Sequence, residues 1–264
     1  MNDQSSQLLS LPEFGFLAVT GRDASKFMQG YATCDLNRVA QGEPLPAAIC
    51  NIKGRMITSF RIAAIPDGLL LRMHSALVPE TIEFLSKYIV FSKAEMADVS
   101  DTWHCYGCMF YGEKDYSDES LLIPVSEERA EIWSQSPITA ANDNLIWQQA
   151  EIAEGLVWLA PESVDTYLPQ MLNYHQLGAI DFEKGCYLGQ EIVARMQYRG
   201  ELKRRLYRGT GTINPGETLK LIDGSTAGIV VRSAADQFLC VLQQTDPKVE
   251  VRLPAGETAT LSLA

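Results

Sequence analysis

The sequence has no run of about 18 apolar residues of the kind that spans a membrane. Its opening "MNDQSSQLLSLPE" has no basic stretch leading into an apolar one. The chain is therefore expected in the cytoplasm, with no membrane partner. There is no G-x-S-x-G elbow, no Walker loop and no G-x-G-x-x-G after a strand, so hydrolases and nucleotide enzymes lose their usual equipment. Histidine is scarce: only His74, His104 and His175 are present. Positive charge is also in deficit, with 22 Lys and Arg against 33 Asp and Glu and a net charge of −11. That balance argues against direct nucleic-acid binding and against an anionic lipid surface, both of which are held largely by basic charge. No internal repeat or low-complexity stretch is evident.

What remains is an ordinary globular composition over 264 residues, 46% hydrophobic and 21% charged. That length buries a full core in one large domain or in two or three small ones. Six cysteines at irregular spacings, without a secretion signal, favour reduced thiols over a disulfide framework. One C-x-x-C, Cys105 and Cys108, lacks the second pair that a zinc site needs, so no metal site is expected. The positive charge is unevenly spread. Arg195, Arg199, Lys203, Arg204, Arg205 and Arg208 lie close together with one acid among them, Glu201. Such a strip is either a docking place for an anion or a solvated face.

The first hundred residues read as mixed helix and strand. "FGFLAVTG" alternates as a strand, and Asp23 is placed to cap a helix over "ASKFMQG". "NIKG" and "PDG" divide the next stretch into hairpin strands. "PETIEFLSKYIV" has a helical period with proline in its first turn, and "KAEMADVS" alternates as a strand. Between 100 and 145, "CMFY" and "LLIPV" read as strands flanking "GEKDYSDES", and "SEERAEIWSQ" as a short helix. The stretch from Trp147 through "YLPQMLNYHQLGAI" reads as helical and loop-like, and "GQEIVARMQY" as an amphipathic helix. From about residue 206, short apolar runs between "NPGE", "DGST", "AADQ", "TDPK" and "PAGE" read as a small closed barrel or sandwich. The expected organisation is α+β, with residues 1–205 as two mixed subdomains and residues 206–264 as a small C-terminal β-barrel.

The densest chemistry lies in "EKGCYLGQE", residues 183–191. An extended segment, a glycine turn and a helix place Cys186 just before a helix N-terminus, where unpaired N–H groups favour thiolate. Lys184 adds to that potential if its side chain bends to the same side. Gly185 and Gly189 permit close approach by a ligand, and Gln190 and Glu191 offer hydrogen-bonding groups in the first turn. From these residues alone the turn holds either a reactive thiol or a small, inert, buried one.

"KGCYLGQEIVAR" resembles the signature of the YgfZ-type folate-binding proteins, relatives of the glycine-cleavage T-protein, an aminomethyltransferase. The resemblance extends through "TGRDASKFMQGYATCDL", "CNIKGRM", "LSKYIVFSKAEM" and "YLPQMLNYHQLGAIDFEKGC", covering most of residues 14–208 and, more loosely, the terminal barrel. It implies a T-protein-like folate-binding fold whose parts surround a central opening holding tetrahydrofolate or another reduced folate. It implies an accessory role in the assembly or repair of iron–sulfur enzymes, which are its clients, with an indirect effect on tRNA modification. The site residues it implies are Cys186 and Lys184 for the chemistry, and Phe14, Trp147, Lys184, Gly185, Cys186, Gln190 and Glu191 around the folate. At position 14 tryptophan is more usual in the family, and Trp147 serves equally as core. The alternative reading is a tetrahydrofolate-dependent aminomethyl transferase. Against it, "KGRMITSF" offers Thr58 and Ser59 where the T-protein has an assisting aspartate. In "EIAEG", Ala153 takes a glutamate position and Glu154 the next; either Glu154 or other groups would read the pterin.

Overall fold

The computed structural model of the chain describes residues 7–110 and 120–264. The first six residues, and residues 111–119 with most of the "GEKDYSDES" separator, lie outside the described residues. The first part of the chain runs β1 (Gln7–Ser10), β2 (Phe14–Thr20), α1 (Ala24–Gln29), α2 (Leu36–Ala40), β3 (Leu45–Cys50), β4 (Met56–Ile65), β5 (Gly68–His74), α3 (Leu77–Ile89) and β6 (Glu95–Asp98). Next come β7 (His104–Met109), β8 (Ser120–Pro124), β9 (Arg129–Ser134), α4 (Leu145–Ala153), two 3₁₀ turns (Pro161–Ser163 and Pro169–Leu172) and α5 (Gln190–Arg199). The last part is all strand: β10 (Arg205–Thr210), β11 (Thr218–Leu221), β12 (Thr226–Ala234), β13 (Gln237–Leu242), β14 (Lys248–Arg252) and β15 (Thr258–Leu263).

Three sheets result. One has five strands in the order β3-β4-β5-β2-β6, one has four in the order β1-β7-β9-β8, and the last six strands close into a barrel. The barrel's strands carry the alternation that a two-sided strand requires. Tyr207, Phe238 and Cys240 fill its interior, while Leu206, Leu239 and Val241 join the core of the main body.

Two local expectations are corrected. Asp23 stands at the start of α1 but makes no cap bond; its carboxylate instead accepts the Lys93 amide at 2.8 Å. The stretch read as a helix around "SEERAEIWSQ" is strand β9. It lies between β7 and β8, and all six of its residues are buried, charged ones included, so its alternation of Arg129, Ala130, Glu131 and Ile132 does not mark a wet and a dry face.

A buried ion cluster joins the two open sheets. Glu131 on β9 accepts from Arg72 on β5, with Nε 3.0 Å from one carboxylate oxygen and Nη2 close against the other. Arg61 on β4 reaches it at 3.3 Å and the Trp133 indole N–H at 2.8 Å. Burial opposes ionisation of Glu131, but Arg72 and Arg61 outweigh it and hold the carboxyl below its ordinary value of 4.5. A depressed carboxyl contributes stability that is fully present above the unfolded value and is lost as pH falls through the folded one. Glu131→Gln is expected to lower unfolding free energy by about 3–5 kcal/mol in urea titrations at neutral pH. The variant should also show a shallower loss of stability below pH 4.5 than the parent chain.

Candidate functional site

An opening of about 670 Å³ lies where the three parts of the fold meet. Phe14 and His74 come from the five-stranded sheet, Asn144 and Gln148 from the start of α4, and Val231, Arg232 and Ser233 from barrel strand β12. Phe14 and Trp158 form its aromatic wall, edge to face with centroids 6.3 Å apart. Behind them the Arg72 guanidinium carbon lies 4.0 Å from the centre of each ring, so the ion cluster also backs this wall.

The Trp158 indole N–H donates to Glu151 at 2.9 Å, and the second oxygen of Glu151 holds Arg232. A register shift between Val230 and Arg232 on β12 accompanies this contact. Glu13 stands half-buried at the same opening. Burial pushes its carboxyl above the ordinary range, with Glu151 adding to the effect and its own amide, Arg232 and Arg72 opposing it. Among the described residues no side chain donates a hydrogen bond to Glu13, so apart from the contact with its own amide the carboxylate has acceptor capacity for donors on a ligand.

Of the residues expected around a cofactor, the structure brings only Phe14 to this opening. Trp147 is corrected to a core residue. It is 0% exposed on α4, Arg129 covers its ring at 4.8 Å, and a Cβ on Gly107 would lie 2.5 Å from that ring. Glu154 caps the end of α4 and pairs with Arg129. Trp158, Glu151, Arg72, Arg232 and Glu13 escaped sequence reasoning. For Arg72 the available signal was a charge inside an apolar strand, "LLLRMH", as it was for its neighbours Arg61 in "SFRIAAI" and Glu131 in "RAEIWS".

The signature loop lies elsewhere. None of Lys184, Gly185, Cys186, Gln190 and Glu191 lines the opening. Cys186 is exposed, whereas the other five cysteines are buried. The Lys184 ammonium does not serve the thiol; it donates to the carbonyls of Gln29, Ala32 and Cys34 at 2.9, 2.8 and 2.6 Å, tying the loop to the end of α1. Burial lowers its pKa to about 8, against the pull of Cys34, Asp35 and Asp181.

The Asp181 carboxylate accepts the amides of Glu183 and Lys184, and the Leu188 amide donates to the carbonyl of Gly30. Gly189 caps α5 at φ +83°, and a Cβ there would meet the Asn51 carbonyl at 2.4 Å. Nothing crowds a Cβ at Gly185, so close packing does not require that glycine. Gln190 and Glu191 sit in the first turn of α5, half-buried and exposed respectively.

The C-x-x-C lies on β7 with its thiols on opposite faces, as strand geometry dictates for a three-residue step, and the two belong to different clusters. Among the described residues no three His, Cys, Asp or Glu side chains gather as a metal set, and no helix is long and apolar enough to cross a membrane.

Two outcomes follow for the loop. Thiol titration of the native chain should modify Cys186 first, with the remainder reacting on unfolding, as read by peptide mass spectrometry. Lys184→Met strands three carbonyls, and thermal or urea unfolding should show a loss of about 1–3 kcal/mol.

The three-part architecture is that of the T-protein fold. The chain superposes on the crystal structure of glycine cleavage system aminomethyltransferase T from Bartonella henselae with a TM-score of 0.71 at 12% identity, covering 98% of this chain and 84% of that one. No family model matches the sequence. The chain is 32% identical over 227 residues to the tRNA-modifying protein YgfZ of Colwellia psychrerythraea, covering 76% of this chain and 70% of that protein. It is 28% identical over 228 residues to the protein of the same name from Vibrio vulnificus, covering 78% and 70% respectively. It is also 35% identical over 207 residues to an uncharacterized Haemophilus influenzae protein, covering 76% and 72%. The chain belongs to the YgfZ family.

Proposed function

We propose that the chain is a cytoplasmic, reduced-folate-binding accessory factor for iron–sulfur enzymes, whose effect on tRNA modification passes through a client enzyme. The observation that carries this reading is the opening between the three parts of the fold, with Phe14 and Trp158 on one side and Glu13 and Arg232 beside them. A pterin needs an apolar aromatic surface, and the largely buried rings of Phe14 and Trp158 are the aromatic groups at this opening. The pterin also carries an edge of adjacent N–H donors, and a carboxylate takes such an edge with paired hydrogen bonds. Glu13 is the carboxylate placed to do so, in the absence of a glutamate at Ala153. Arg232, held by Glu151, is placed for an anionic group of the ligand. The family resemblance supports the iron–sulfur role, and the names of the YgfZ relatives support the connection with tRNA modification.

The same geometry weighs against aminomethyl transfer. At the strand position where the resemblance calls for a carboxylate, Thr58 and Ser59 are buried; the Thr58 hydroxyl turns to the Met73 sulfur and the Ser59 hydroxyl accepts the Leu159 amide. Neither is an acid able to move a proton at a folate nitrogen. In this reading Cys186 is the accessible sulfur that faces a client, Lys184 positions its loop, and residues 206–264 close as a barrel against the 1–205 body.

Titration with tetrahydrofolate, followed by tryptophan fluorescence, tests the proposal. Phe14→Ala and Glu13→Gln are each expected to weaken binding about tenfold, equivalent to ~1.4 kcal/mol. Trp147→Phe should leave affinity unchanged while lowering stability. Affinity should fall on acidification from above the ordinary glutamate range, since protonation removes an acceptor oxygen from Glu13. Unchanged affinity in the Phe14 and Glu13 variants would reject the site.

A further inference from the structure

The molecule carries a second, chemically opposite cavity. It measures about 480 Å³ and is lined by Lys53 and Arg55 from the turn between β3 and β4 and by Lys203 and Arg204 just before β10. No residue lining it is shared with the aromatic opening, and none is acidic. We infer that this groove is a binding site for phosphate groups.

Four cations converge there in a chain whose net charge is −11, and among the described residues none of the four has a carboxylate partner. Lys53, Lys203 and Arg204 are exposed, and among the described residues none of the three enters an ion pair. Gathering like charges costs free energy, so an uncompensated cluster is poised for an anion from outside. Asp165, next in sequence to the lining residue Thr166, has its carboxylate turned to the Asn51 side-chain amide at 2.6 Å and forms no ion pair with these cations.

Arg55 is fixed rather than free. Its Nη1 donates to the carbonyls of Asp165 and Thr166 at 3.0 and 3.1 Å, which presets the guanidinium at the wall. A phosphoryl group carries close to two charges and three acceptor oxygens. Two such groups therefore match the four cations of this groove, whereas two carboxylates would leave half of the charge unmet. The size lies within the ordinary range for small-ligand sites, about 300–1,000 Å³. The floor is apolar, formed by Leu168, Met171 and Ile192, which suits a phosphate borne on an organic body better than a bare ion. A smaller cavity of about 230 Å³ adjoins it through Thr166, Arg204 and Gln243 and reaches under β12 at Thr226–Ile229, giving that organic body room. That charge match belongs to terminal phosphoryl groups on a small organic phosphate; each phosphodiester of an RNA strand carries a single charge, so an RNA would need more than two backbone contacts to meet the same cluster.

The experiment uses the full chain, with pyrophosphate and adenosine triphosphate in calorimetric titration and a short fluorescein-labelled RNA single strand in anisotropy. Binding of the small phosphates alone assigns the groove to an organic phosphate, and tighter binding of the RNA assigns it to a nucleic-acid backbone. Either supports the inference if the exposed double substitution Lys53→Gln/Lys203→Gln weakens binding by about tenfold or more, and Arg204→Gln does so independently. For RNA, the salt slope should also fall by about 0.7 for each phosphate contact removed. Unfolding curves confirm that the variants are folded. Glu13→Gln should leave phosphate binding intact, so failure here is distinct from failure of the folate reading. Binding of neither phosphate probe, binding indifferent to the substitutions, or preference for a γ-linked oligoglutamate over both phosphates overturns the inference.

Discussion

The contact of Arg72 with Glu131 is the constraint on which the rest of this structure rests. A guanidinium and a carboxylate, both withdrawn from water, hold the five-stranded sheet against the four-stranded one. Such a pair contributes little net free energy compared with apolar replacements, yet it is costly to break from one side only. What it supplies is direction. Arg72 can lie between Phe14 and Trp158 because Glu131 fixes its plane from behind. The aromatic wall of the opening is thus backed by an electrostatic contact as well as by packing.

A second polar chain works the same way at the junction with the barrel. Glu151 leaves water on α4 and satisfies the Trp158 indole and Arg232 together. The two carboxylates therefore set two arginines behind and beside one cavity, each through a single buried acid. The signature loop is governed by a third device. Lys184 gives its ammonium to three carbonyls at and just after the end of α1, so the surface position of Cys186 depends on a helix some 150 residues earlier in the chain.

Much of the fold was legible in the sequence, because glycine and proline turns mark short strands whatever lies around them. The barrel and the β4–β5 hairpin were read in this way. Strand β9 was not, since it follows the polar run "SEE" and buries its own charges, so Arg129 and Glu131 look like the exposed side of a helix. The site was legible only where a family signature named it. Trp158 sits in "LVWLAP", an apolar run that could belong to any core, and only its contacts with Phe14 and Arg72 distinguish it from Trp147. Lone charges within apolar strands were the readable trace of the ion cluster. Their pairing across some 60 or 70 residues of chain was not readable from one sequence.

The register shift on β12 decides how the barrel is wired to the body. Val230 stands opposite Cys240 and faces the barrel interior, while Arg232 stands opposite Leu239, whose side chain belongs to the body's core. In an unbroken ladder Arg232 would oppose Phe238 instead, and its charge would be aimed into the barrel's oily centre. One additional residue thus turns a cation outward to meet Glu151. Were Val231 paired in the ladder instead of set aside, every later side chain of the strand would turn to the opposite face and the contact between Arg232 and Glu151 would be lost. Strand length, as much as residue identity, is inherited information here.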